Sequence, residues 1–383
     1  MSKIKICHLT SAHSSKDTRI LYKECVSLAK KDIYQVYLVA EGKTNTIENV
    51  EIIGVGQKPI NRIKRIISFT KNVYTVAKKI DADIYHLHDP ELLPYAIRLK
   101  KTGKIVIFDA HENYELLILE KKYINVIFRK TIQNIFNIYY KRILKKIDGV
   151  IGVTPNMEKY LKLSSDNVCI ITNYPIIERA KKNINEKSEN CILVFAGGVN
   201  SKWCHNIIIK NIQSIDKIKY KLIGPSTDEY SELLKQIDIN DKVEYLGKLN
   251  HKTIHDELLV SDIGVAIVQY TMNSFADEGT MGNTKIFEEM TAGLAIVCTD
   301  FSLWKNLIID KYKCGICVNP NNDDQIKEAI LKLVNNPELR KKMGENSRRA
   351  VEEEFNWGTQ EKCLFDFYAK LLQNKKEDCF SNN

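Results

Sequence analysis

The stretch Asn283-Thr284-Lys285-Ile286-Phe287-Glu288-Glu289-Met290-Thr291-Ala292-Gly293, followed by the apolar run Leu294 to Cys298, contains one full unit of an alternating α/β fold. It reads as a two-turn helix, a glycine stop and a buried strand. Asn283 or Thr284 can cap the helix N-terminus. Gly293 suits the left-handed residue that ends it. Lys285 and Glu288 are three apart and share a face. Lys285 lies on the first turn, where unpaired backbone N–H groups already favour an anion. A cation and a carboxylate at this spacing suit a diphosphate and its ribose, although a surface helix bearing an ion pair has the same pattern.

Outward from this unit, the second half continues strand by strand. Cys191–Ala196 ends in Gly197-Gly198, Lys219–Ile223 in Gly224-Pro225, and Val243–Leu246 in Gly247. Ile263–Val268 and Ala295–Thr299 are further strands, and helices are expected at 323–335, 337–354 and near 360–372. The first half has the same rhythm. Strands are expected at 4–9, 35–40, 84–88, 104–108 and 149–153. Helices are expected at 17–31, near 63–80 and at 127–146. Strands alternating with helices call for a parallel sheet covered on both faces. The expected architecture is α/β: two doubly wound, Rossmann-like domains facing each other across a cleft. The first spans 1–176, a polar linker 177–190, the second 191–358, and a C-terminal helix and tail 359–383 pack back on the first. Ligands are expected at the carboxyl ends of the strands.

The 383 residues allow two domains of ordinary size. No apolar run approaches the eighteen residues of a membrane-spanning helix, and Met-Ser-Lys-Ile-Lys-Ile leads directly into a strand without a signal-peptide core. The ten cysteines are scattered and expected to be reduced. The cytoplasm is the default compartment. The net charge of +9 is concentrated. Residues 58–80 include Arg62, Lys64, Arg65, Lys71, Lys78 and Lys79 with no acidic residue. Residues 121–147 repeat the pattern with Arg129, Lys130, Lys141, Arg142, Lys145 and Lys146 among Ile, Phe and Tyr. Basic amphipathic helices of this kind fit an anionic membrane surface. No nucleic-acid recognition motif accompanies them.

In the first half, polar residues gather at strand ends. The first strand leads to His13, Asp17 and Arg19, the strand at 84–88 to His86, His88 and Asp89, and the strand at 104–108 to Asp109, His111 and Glu112. Several of these are metal-ligand types, but Arg19 and the lysines of the second half suit a phosphate directly, and no metal is expected. Asp81-Ala-Asp83 has the spacing of a metal-binding DxD but reads as a helix-to-strand connection. In the second half, Gly197 and Gly198 let backbone approach a ligand, with Lys202 just beyond. Glu278-Gly279-Thr280-Met281-Gly282 reads as a mobile loop. There is no P-loop or nucleophile elbow.

These residues resemble the family 4 glycosyltransferases of the GT-B fold found in bacterial capsule, O-antigen and exopolysaccharide synthesis. The matching motifs are His8-Leu-Thr-Ser11 with Asp17-Thr-Arg19-Ile20, His86-Leu-His-Asp-Pro-Glu-Leu92, Asp109-Ala-His-Glu112, Asn283-Thr-Lys-Ile-Phe-Glu288, Ala292-Gly293 and Asp300-Phe-Ser-Leu-Trp304. The resemblance implies a retaining, metal-independent enzyme without a cofactor. Its donor would be a nucleoside-diphosphate sugar, UDP- or GDP-linked, held by the second domain. Its acceptor would be a glycan or polyprenyl-linked molecule held by the first. His111 matches the catalytic histidine that reaches the transferred sugar. Lys285 matches the diphosphate lysine, and Glu288 the second glutamate of an E-x7-E pair, on the ribose. Donor binding would involve Gly197, Gly198, Lys202, Asn283, Thr284, Lys285 and Glu288. Acceptor-side candidates are His13, Asp17, Arg19, His86, His88 and Asp89. Two positions depart from the pattern: Thr280 stands where the first glutamate of the pair falls, and Lys202 replaces the usual arginine. The expected setting is the inner face of the plasma membrane, with the enzyme peripheral to it. The alternatives are a non-catalytic nucleotide-binding partner of a glycan assembly complex and a sugar-nucleotide epimerase of the same fold.

Overall fold

The computed structural model describes residues 2–120, 125–177, 189–271 and 275–381. The chain forms two compact units, one of Met1–Asn173 with Trp357–Asn383, the other of Tyr174–Asn356.

The first unit is built on an eight-stranded sheet. Its strands are β1 (Ile4–Leu9), β2 (Tyr34–Ala40), β3 (Asn45–Ile47), β4 (Val50–Gly54), β5 (Ile84–Leu87), β6 (Ile105–Ala110), β7 (Gly149–Gly152) and β8 (Val168–Ile170). Their order is β3-β4-β2-β1-β5-β6-β7-β8, parallel except for the β3–β4 pair. The β3–β4 hairpin has no counterpart in the sequence reading. Its two turn residues, Glu48 and Asn49, have φ of 48° and 62°. Two left-handed residues in succession match the twist of paired strands, but Glu-Asn lacks the glycine that usually marks such a turn.

The helix after β1 starts where expected, with the Asp17 carboxylate accepting from the backbone N–H of Arg19 and Ile20 at 2.9 and 3.0 Å. Over Thr18–Cys25 it is wound wider than an α-helix, the Val26 N–H reaching back five residues to the Leu21 carbonyl. One α-helical turn, Val26–Ala29, completes it. Such widened turns often occur at functional sites. Here both Arg19 and Glu24 are buried. The C-terminal helix Trp357–Ser381 belongs to the same unit. Leu364, Phe367, Tyr368 and Leu371 join the core beneath helix 18–29, and Trp357 Nε1 donates to Ser27 Oγ at 2.9 Å. Right-handed crossovers place helices 62–80 and 126–144 on the opposite face of the sheet.

The second unit has strands β9 (Cys191–Ala196), β10 (Ile218–Ile223), β11 (Val243–Gly247), β12 (Ile263–Ala266), β13 (Ala295–Thr299) and β14 (Gly315–Val318). They are all parallel, in the order β11-β10-β9-β12-β13-β14. Both sheets are therefore doubly wound, and strand order reverses between β1 and β5 and between β9 and β12. Crevices at such reversals are where this class of fold binds ligands. The second unit starts at Tyr174, whose ring meets Phe287 and Phe355 edge-on at 4.8 and 5.5 Å. This is ahead of the sequence boundary near Pro175. Of the expected linker 177–190, residues 178–188 lie outside the described residues.

Asp81 and Asp83 form a connection, as read. Asp81 closes helix 62–80 with φ of 51°. The Asp83 carboxylate accepts from the Lys5 N–H at 2.9 Å, at the amino end of β1 and away from the strand ends that bear the site.

His205 is fully buried in the second unit, its Nδ1 2.9 Å from the Tyr220 hydroxyl. Burial lowers its pKa from 6.5 to about 3. Between these values the unfolded chain binds the extra proton and the folded chain does not, so stability falls as the pH drops through that window. The cost at the acid end is on the order of 5 kcal/mol. His205→Gln should flatten the acid limb of the second unit's unfolding midpoint against pH. An unchanged slope would remove His205 as its cause.

Candidate active site

In the second unit, the helix Thr284–Thr291 leads into β13, with Asn283 capping the Lys285 N–H at 3.4 Å and Gly293 ending the turn at φ 71°. The Lys285 side chain runs back over the Gly197-Gly198 turn at the end of β9. A Cβ on Gly197 would lie 2.2 Å from Lys285 Cε. Lys285 Nζ is 5.4 Å from the centre of the Trp203 ring. From the other side, Gly224 packs on Gly197 so closely that a Cβ would meet the Gly197 carbonyl oxygen at 1.8 Å. The turn is thus held between a lysine stem and a neighbouring backbone. The ends of β9 and β10, the helix N-terminus and one cation converge at the strand reversal. That convergence suits a polyanion.

Lys202 lies on the exposed turn Ser201–Trp203, its N–H bonded to Asn200 Oδ1 at 3.1 Å. Thr284, Lys285 and Glu288 are all partly exposed. The segment 278–282 differs from the mobile loop read in the sequence. Met281 is buried, Trp304 Nε1 donates to the Thr280 carbonyl at 2.9 Å, and the Leu303 N–H donates to the Glu278 carbonyl at 3.0 Å. Phe301 and Trp304 anchor it.

In the first unit, the polar residues sort by depth. His13, Asp17 and His111 are partly exposed, whereas Arg19, His86, His88 and Asp89 are buried. Asp89 is a structural tie at the β1–β5 reversal. Its Oδ2 accepts from Thr10 Oγ1, the Ser11 N–H and the Ala12 N–H at 2.8, 2.6 and 3.1 Å. Its Oδ1 lies 2.9 Å from His13 Nδ1. Burial raises the Asp89 pKa, but His13 and the donors outweigh it and hold the carboxyl well below the usual range. Burial likewise lowers the His13 pKa, and the Asp89 contact more than offsets that, so the imidazolium is favoured.

Arg19 spans the site from below. Its Nε and Nη2 donate to the two oxygens of Asp109 at 2.8 and 3.0 Å, and Nη1 donates to the Ile171 carbonyl at 2.9 Å. Arg19 and His111 together overcome burial and keep Asp109 ionised. His111 Nε2 is 3.1 Å from Asp109 Oδ2 and 3.1 Å from His88 Nδ1. His13 and His111 approach to 4.7 Å between ring centres. These two half-exposed imidazoles form the upper layer of the cluster. The roles assigned to His86 and His88 as acceptor-facing groups do not fit side chains with no exposed surface. The sequence reading passed over Glu24, Trp203 and Tyr368 as site groups, took Gly224 only as shaping a slot for a base, and gave His8 only as part of a motif. His8 carried a signal, since it pairs in register with His86 on the adjacent parallel strand.

Two doubly wound domains in one chain are the GT-B architecture. A model of the group 1 glycosyl transferases matches residues 176–350, and one of glycosyltransferase family 4 matches 19–173. The chain belongs to the family 4 glycosyltransferases. An uncharacterized glycosyltransferase of Methanocaldococcus jannaschii is 28% identical over 247 residues, which span 61% of each chain. The sucrose-phosphate synthase of Thermosynechococcus elongatus superimposes with a TM-score of 0.74 at 15% identity, covering 97% of this chain and 100% of that one. Anabaena Alr3699/HepE, in complex with UDP and glucose, superimposes with a TM-score of 0.70 at 13% identity, covering 96% and 100%.

The two glycines separate binding from stability. In Gly197→Ala the displaced atom is the end of a flexible lysine, so the fold should persist while nucleoside-diphosphate affinity falls about tenfold. In Gly224→Ala the clash is with backbone, at a φ of 140°. That variant should lose roughly 1–3 kcal/mol of stability. Calorimetric titration and thermal melts of both proteins check this, and equal melting losses would contradict it.

Proposed function

We propose that this chain is a retaining glycosyltransferase. It moves a sugar from a UDP- or GDP-linked donor to a glycan or polyprenyl-linked acceptor in surface polysaccharide synthesis, with no metal or cofactor in the transfer step. The observation that carries this reading is Lys285 on the first turn of an Asn283-capped helix, its stem lying in the notch of Gly197. In the transfer, the bond from C1 of the sugar to the diphosphate oxygen breaks and a bond from C1 to the acceptor oxygen forms. The acceptor proton passes to the departing phosphate. Charge grows on the diphosphate as its bond opens, and Lys285, Lys202 and the helix N–H groups would stabilise it. Glu288 is assigned to the ribose and His111 to the transferred sugar.

The first unit supports an anionic lipid surface as the working site of this cytoplasmic enzyme. Helix 126–144 buries only Tyr140, Ile143 and Leu144. It leaves Val126, Ile127, Phe128, Ile132, Ile135 and Ile138 exposed beside its lysines and arginines. Helix 62–80, on the same face of the sheet, exposes Ile63, Ile66 and Ile67. Apolar anchors among basic residues fit peripheral attachment. No helix among the described residues is long and apolar enough to cross a membrane.

A thermal-shift screen of nucleotide sugars identifies the donor, because a ligand of the native state raises its melting point. Turnover is then measured with and without polyprenyl-linked acceptors on vesicles. Acceptor-dependent transfer with the donor's anomeric configuration kept supports the reading. Donor conversion without acceptor would indicate an epimerase. Binding without turnover would indicate the non-catalytic partner to which Thr280 points. Ile127→Asp with Ile135→Asp should abolish salt-sensitive sedimentation with anionic vesicles.

A further inference from the structure

Beneath the half-exposed layer lies a second set of groups that the transfer reaction does not use. His8 on β1, His86 and His88 at the end of β5, and Glu24 on the widened helical turn face one another with no exposed surface. His8 and His86 are register partners on adjacent strands. Glu24 descends from the helix above. Neither oxygen of its carboxylate makes a hydrogen bond. Oε1 lies 3.1 Å from Arg19 Nε. Oε2 points at three imidazole nitrogens at nearly equal range, 3.9 Å from His8 Nδ1, 3.8 Å from His86 Nδ1 and 3.9 Å from His88 Nε2. His8 Nδ1 and His88 Nε2 are 2.9 Å apart.

A buried carboxylate oxygen with no donor costs several kcal/mol. His86 Nδ1 meets the Tyr368 hydroxyl at 2.8 Å, and His8 Nδ1 and His88 Nε2 meet each other, so the Glu24 oxygens are what this pocket leaves without a partner. A cation held between that carboxylate and the imidazole lone pairs would satisfy them. We propose that His8, His86, His88 and Glu24 bind a first-row divalent transition metal, with zinc the ion that three imidazoles and one carboxylate suit. In a tetrahedral zinc site with ligand bonds of about 2.0–2.1 Å, ligand atoms lie roughly 3.3 Å apart. The separations here fall on both sides of that value.

The outer contacts are those of a metal-bound histidine. With Nε2 of His88 on the metal, its Nδ1 holds the proton and faces Asp109 Oδ2 at 3.4 Å and His111 Nε2 at 3.1 Å. The Nε2 of His8 faces the Tyr368 hydroxyl at 3.5 Å. The metal is a structural one. It pins the carboxyl ends of β1 and β5 to helix 18–29 and fixes the ring that His111 rests on. It takes no part in sugar transfer, so its presence is independent of the proposed function.

The test is elemental analysis of the full chain, purified without chelator and then equilibrated with zinc and dialysed. Close to one zinc per chain is expected, and cobalt in its place should show the intense visible absorption of a tetrahedral ion. Glu24→Gln, nearly the same shape, and His86→Ala should each lower retention at least tenfold. His251→Ala, on the surface, should leave retention unchanged. Wild-type protein that keeps less than a tenth of an equivalent overturns the site without recourse to any variant. So does retention that neither buried substitution alters.

Discussion

Lys285→Ala lowers the transfer rate about a hundredfold or more while the melting point and far-UV spectrum stay those of the parent. A donor removed from a developing anion typically costs about 3 kcal/mol of barrier, and each 1.4 kcal/mol is a factor of ten. The side chain is only partly buried and lies over Gly197 and beside Trp203 rather than in the core, so its loss leaves little packing to repair. On the proposed reading the same ammonium meets the diphosphate before and during bond breaking, so both kcat and nucleotide affinity should fall. Lys285→Arg keeps the charge and should recover part of the rate. If Lys285→Ala retains full activity with the donor found by the screen, the assignment of the anion site to this helix is wrong.

Arg19→Leu has the largest effect on stability. Its guanidinium, buried with Asp109 and the Ile171 carbonyl, is held by three hydrogen bonds. Removing it leaves the Asp109 carboxylate buried without its main counter-charge, which costs about 3–5 kcal/mol. Hydrogen exchange should show protection lost through β1, β5 and β6, with β9 to β14 unchanged, since Arg19 belongs to the first unit alone. Asp109→Asn in the same chain removes the stranded charge and should restore a large part of the loss. A drop below about 1 kcal/mol would mean that Asp109 is neutral in the folded protein, contrary to its depressed pKa.

Much of the architecture was legible because buried parallel strands are nearly all apolar. Ile105 to Phe108 and Ala295 to Cys298 are short apolar runs between helical patterns. The turn at Glu48-Asn49 was not legible, because half of its left-handed geometry falls on a glutamate, which rarely adopts it. The capped helix of the candidate anion site was readable from Asn283, Lys285 and Gly293, each of which has a local reason for its place. The grip of Gly224 on Gly197 was not, since it joins neighbouring strands. The buried histidines carried a weaker trace. On β1, β5 and β6 the inward positions run Ile6 to His8, Ile84 to His86 to His88, and Ile107 to Asp109. In each strand an apolar residue gives way to a polar one on the same face. Glu24 carries less of a trace still, because only the widened helix directs it inward.

The return of residues 357–381 to the first unit has a consequence for biogenesis. The lobe begun first is finished last, because Trp357, Leu364 and Tyr368 must leave the ribosome before its interior closes over His8 and His86. Meanwhile Tyr174–Asn356 can condense by itself. A stop codon shortly before Trp357 would therefore spoil the half of the molecule farthest from it in the gene, and leave Tyr174–Asn356 comparatively intact.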